Sequence, residues 1–124
     1  MDYDGFVRAV AARAGISRPE AAVLTRATLQ TLGERLTGGE AGDLAAQLPK
    51  ELKEWLAGSA QPTAEAFRLD EFIRRVSERA NVPPGEARDG TRAVFLTLRD
   101  AVTGGEFRDM MSQLPKEFAE LAEG

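Results

Sequence analysis

The side chains that could do chemistry in this chain are few in kind. Cys and His are both absent, which removes thiolate and imidazole nucleophile systems, disulfides, cysteine or histidine zinc sites and histidine pH switching. Carboxylates, Lys, Tyr and hydroxyls remain. Glu51 with Glu54, and Glu117 with Glu120, stand at i and i+3, a spacing at which two acids can share a hard divalent cation. Carboxylate-built di-iron bundles require Glu-x-x-His. Lys50 and Lys53 interleave with the first pair, so these positions read as a solvated mixed-charge face and no metal or other cofactor is expected.

Gly38-Gly39 and Gly104-Gly105 open helices, where free amides and the positive dipole end could hold an anion. Glu40 and Glu106 follow directly and are expected to occupy those amides as capping-box partners of Thr37 and Thr103. The glycines therefore read as turn chemistry. Arg26 with Asp43, and Arg92 with Asp109, sit at equivalent places in two halves of the chain. They could form a paired ligand-binding charge site, but are expected to be ion pairs or capping contacts tying the second helix of each half to the third, and losing one member of a buried pair can cost roughly 3–5 kcal/mol.

These positions recur because the chain resembles itself at an offset of about 66 residues. Thr37-Gly38-Gly39-Glu40 falls on Thr103-Gly104-Gly105-Glu106, and Gln47-Leu48-Pro49-Lys50-Glu51 on Gln113-Leu114-Pro115-Lys116-Glu117. Phe6, Arg8, Val10, Arg13 and Ala14 fall on Phe72, Arg74, Val76, Arg79 and Ala80. The reading is a tandem duplication: a first unit over 1–58, a linker over 59–66 carrying Gly, Ser and Pro nearby, and a second unit over 67–124.

Each unit has helical periodicity. Phe6, Val7, Val10, Ala11 and Ala14 make one apolar stripe, ended by Gly15. Ser17, Pro19 and Glu20 start a long second helix with Val23, Leu24, Ala27, Thr28, Thr31, Leu32 and Leu36 on its buried face, running to Gly38-Gly39. A third helix carries Leu44, Ala45 and Leu48, and Pro49 opens a short fourth with Leu52, Trp55 and Leu56. In the second unit Pro83-Pro84 replaces the Ser cap, so its long helix is expected to start a residue or two later. Gly90 within that helix costs about 1 kcal/mol against Ala unless it permits a close helix approach. No stretch alternates with period two, so the fold class is all-α, two bundles of about four helices packed about an approximate two-fold axis.

From Leu36 through Thr37, Gly38, Gly39 and Glu40 to Gln47, Leu48, Pro49, Lys50, Glu51 and Leu52 the chain resembles the signature of the bacterial DUF2267 family, and Met1 to Phe6 resembles its usual opening. It departs at Gly42, where the second copy has Arg108. The resemblance implies a small helical bacterial protein and assigns no activity.

Composition narrows the partners. With 16 Lys and Arg against 20 Asp and Glu the net charge is −4, and no basic run exists to neutralise phosphates, so nucleic acid is not expected. The helix over 40–48 would stand as the recognition helix of a helix-turn-helix, yet it carries Glu40 and Asp43 and no Lys or Arg. No apolar run approaches a membrane span and the N-terminus is acidic, so a cytoplasmic, non-membrane protein is expected. Trp55, Met110, Met111 and Phe67 are candidates for a protein interface. The expected function is a non-catalytic interaction or structural adaptor module. The alternative is a binder of a small anionic or apolar ligand at the seam between units.

Overall fold

A computed structural model describes residues 1–60 and 64–123. Among the described residues eight helices follow one another, α1 (Tyr3–Ala14), α2 (Arg18–Arg35), α3 (Gly38–Ala45), α4 (Lys50–Ala57), α5 (Leu69–Ala80), α6 (Pro84–Ala101), α7 (Gly104–Ser112) and α8 (Phe118–Leu121). No strand occurs among the described residues, so the chain is all-α. Residues 61–63 of the expected linker lie outside the described residues.

The helix ends follow the local chemistry of the chain. Asp2 caps α1 by accepting from the Gly5 amide, and Gly15 closes it at φ 68°. Ser17 and Glu20 form a full capping box at the start of α2, satisfying amides that would otherwise be orphaned. Asn81 takes the left-handed place after α5 at φ 55°, a conformation Asn tolerates better than most residues. α6 begins at Pro84 with Pro83 as its cap. Since 18 plus 66 is 84, this is the same register as α2 and not a later one. Proline's fixed φ suits a first turn, where its missing N–H costs nothing. Two other boundaries differ from expectation. α2 stops at Arg35 because Leu36 is extended and buried, and Pro49 caps α4 from outside it. The fourth helix of the second unit is a single turn.

The long helices α2 and α6 cross at the centre, each flanked by α1, α5 and the other long helix. One continuous core contains Phe6, Leu24, Leu32, Leu52, Phe72, Phe95, Met110 and Phe118. Phe72 meets Phe95 and Phe118 edge to face, with ring centres 5.9 and 5.4 Å away. Gly90 allows the crossing, because a Cβ there would sit 2.8 Å from Leu24 Cδ1. Gly33 serves the α2–α4 contact in the same way, its face pressed on the Leu56 carbonyl.

Candidate functional site

Helices α3 and α7 pack against each other, which brings the two Gly-Gly-Glu turns together. Thr37 Oγ1 accepts from the Glu40 amide and Thr103 Oγ1 from the Glu106 amide, both at 3.2 Å. The return half of each expected capping box is not made. The Thr37 amide instead donates to Gln113 Oε1 at 3.0 Å, and the Thr103 amide to Gln47 Oε1 at 2.8 Å. Both glutamate side chains are thereby freed from capping.

Each glutamate presents an Oε1 shut off from solvent with no donor partner, and Glu40 lies within hydrogen-bonding reach of Glu106. Two carboxyl oxygens can satisfy one another only when a proton sits between them. Burial first, then the hydrogen bond and charge of Glu106, with smaller contributions from Asp109 and Asp43, pushes the Glu40 carboxyl up to about 8. At neutral pH the Glu40 carboxyl therefore keeps its proton. Gly39 faces open space while Gly38 is half-buried, and Gly104 and Gly105 lie near the Arg108 guanidinium. The adjacent half-buried carboxyl groups, with Asp43 and Asp109 beside them, make this end of the helices unfavourable for an anion.

The expected ion pairs are not formed among the described residues. Asp43 and Asp109 are exposed and add negative potential beside the carboxyl pair. Arg26 is exposed beside Arg79, and Arg92 donates to the Glu123 carbonyl at 2.6 Å. A guanidinium on an outward position of a long helix is hydrated more cheaply than it is buried. Other arginines reach across, Arg13 from α1 to α6 and Arg79 from α5 to α2 among them. Arg79 donates to Thr31 Oγ1 and pairs with Glu34, both at 2.7 Å. Arg13 donates to Thr97 Oγ1 at 2.7 Å and pairs with Asp100. The hydrogen bond from Arg79 holds the Glu34 carboxyl below its ordinary range against the opposing effect of burial. Arg75 joins Glu34, Glu65 and Glu71 and lies 3.9 Å from the Phe67 ring centre.

Of the aromatic and Met candidates, Trp55 is half-buried and packs edge to face on Tyr3 at 5.8 Å. Met110 is 0% exposed, so it fills the core and offers no surface. Met111 is half-buried against the core, and Phe67 is buried under the arginines. No group of three or more Asp or Glu able to hold a metal ion occurs among the described residues, the acidic pairs on α4 and after Pro115 included.

Sequence reasoning missed a cleft of about 190 Å³ between the α1–α2 and α5–α6 turns. Ala14, Ile16, Val23, Leu24, Ala80 and Val82 line it, and Glu20, Glu86 and Asp89 stand on its rim. Val23 was placed on the buried face by its spacing, yet it is 49% exposed at this cleft, because the Leu24 side chain takes the contact over Gly90. Val23 and Met1 are the large hydrophobic side chains left exposed among the described residues. The available signal was Ile16 and Val82, apolar residues in two turns that otherwise favour polar ones.

Among the described residues no helix is long and apolar enough to cross a membrane. Among curated proteins, none matches the chain. A family model described as an uncharacterized conserved protein matches residues 3–121, nearly the whole length. The chain thus belongs to the DUF2267 family.

Proposed function

We propose that this is a non-catalytic interaction module made of two duplicated units, 1–58 and 67–124 with 59–66 between them, related by an approximate two-fold axis through the α2–α6 crossing. Reciprocal contacts at an offset of 66 support the duplication. Arg13 to Thr97 is answered by Arg79 to Thr31, and Thr37 to Gln113 by Thr103 to Gln47. Among the described residues nothing gathers a nucleophile, a base and a reachable substrate position in one place. The carboxyl pair is wedged between helices, and the arginine lattice is matched by Glu34, Glu65 and Glu71.

The observation that carries the interaction reading is Val23, a β-branched apolar side chain half in water at the mouth of an apolar cleft on the axis. Val23 continues the apolar lining of Ala14, Ile16, Leu24, Ala80 and Val82, which with its acidic rim makes a concave surface of the kind binding uses. The ligand-binding alternative is weaker for an anion, since Glu20, Glu86 and Asp89 surround the opening. Photo-crosslinking residues placed singly at Val23, Ala12 and Arg108, all exposed, test the module reading inside cells. A discrete crosslink to another polypeptide at any one of them is expected; none at all three refutes the reading.

A further inference from the structure

We infer that the cleft at the α2–α6 crossing receives one aliphatic side chain of a partner segment, with a basic residue immediately on each side of it. This rests on the module reading above and names the chemistry of its partner. Volume decides the size of the occupant. Drug-sized ligands fill roughly 300–1,000 Å³, whereas about 190 Å³ is available here, enough for a single branched side chain. The lining supplies the apolar complement, with Ala14, Ile16, Leu24 and Val82 forming the walls and Val23 at the lip.

Charge decides the neighbours. Glu86 and Asp89 hold no hydrogen bond or ion pair among the described residues, while Glu20 is engaged with the Ser17 amide at 3.1 Å. No cationic side chain lines the opening. The next hollows outward contain Arg26 with Arg79 on one side and Arg13 with Arg92 on the other. Attraction for a cation therefore ends one residue from the buried side chain. A second copy of this chain is a poor occupant, because an isologous pairing would set the same acidic rim against itself and each chain carries −4.

The test uses the full chain and a synthetic heptapeptide, Gly-Ser-Lys-Leu-Lys-Ser-Gly, followed by amide shifts in two-dimensional NMR up to about 5 mM, the range of weak single-anchor binding. Shifts centred on Val23, Val82, Glu86 and Asp89 are expected. Exchanging the peptide's Leu for Ala, or Val23→Asp in the protein, is expected to weaken binding at least about tenfold, and the double change Glu86→Lys with Asp89→Lys to transfer preference to the peptide with Glu in place of Lys. Melting curves confirm that these surface variants stay folded. Absence of shifts, equal binding of the Ala peptide, or cleft shifts that grow with protein concentration alone would each overturn the inference. Equal shifts from a small hydrophobic amine such as isobutylamine would also overturn it, by replacing the segment with a free amine. A crosslink formed at Ala12 or Arg108 but not at Val23 would leave the module reading standing while this inference fails.

Discussion

Replacing Glu40 by Gln should make the protein more stable above neutral pH and leave it unchanged in mild acid. In the folded chain the Glu40 carboxyl titrates at about 8 against an ordinary 4.5, so the native state binds its proton more tightly than the unfolded chain does. A group shifted in this direction contributes its stabilisation fully below pH 4.5 and loses it as the pH climbs toward about 8. At about 1.4 kcal/mol per pH unit the span sets a ceiling near 5 kcal/mol. Water reaches the outer part of the half-buried side chains, and screening brings the expected loss to about 1–2 kcal/mol. Glutamine carries no charge, and its amide donates to Glu106 at every pH. The assay is urea unfolding at fixed ionic strength from pH 5 to 9, followed by the fluorescence of Trp55, the single tryptophan. Glu40→Gln should match the parent near pH 5 and exceed it by about 1–2 kcal/mol near pH 8.5. A difference from the parent that does not change with pH, or one that falls between pH 5 and pH 8.5, would refute the raised Glu40 carboxyl.

Other outcomes follow from the same geometry. Arg79→Ala removes the links to Thr31 and Glu34 and should cost about 1–2 kcal/mol in urea unfolding, whereas Arg26→Ala, on an exposed position, should stay within about 0.5 kcal/mol. Gly33→Ala drives a methyl into the Leu56 carbonyl and should destabilise by about 1–3 kcal/mol, while Gly42→Ala meets nothing and should stabilise α3 by about 0.5–1 kcal/mol. Toward acid, Glu34, Glu71 and Glu117 are all held below their ordinary range by arginine or backbone donors, so their contribution exists above about pH 4.5 and fades below it. With Glu40 working in the opposite sense, melting temperature should peak near pH 5–6, checked by calorimetry across pH.

Helix identity, caps and most of the core were legible because each depends on residues within a turn or two. Ser17 with Glu20, and Gly15 after Ala14, are local statements that tertiary packing had no reason to override. The site was less legible because its partners are far apart in the chain. Arg13, Arg79, Gln47 and Gln113 were visible as repeated residues, but a repeated residue can pair inside its own unit or across to the other, and spacing does not separate the two. Nearness in the chain points to Arg26 with Asp43; the molecule instead joins α1 to α6 through Arg13 and α5 to α2 through Arg79. The capping boxes of α3 and α7 failed for the same reason, since Gln113 and Gln47 outcompete Glu40 and Glu106 for the threonine amides. Val23 was misplaced because a 3.6-residue stripe has two edges, and Gly90 opposite Leu24 decides which edge is covered.

The cleft, the carboxyl pair and the continuous core are all built from both halves of the chain, so the halves are expected to unfold together. Native-state hydrogen exchange resolves this residue by residue. The slowest amides of α2 and α6 should exchange with one common free energy equal to that of global unfolding. Slowest amides in one half that exchange through a separate, lower-energy opening while the other half stays protected would contradict it.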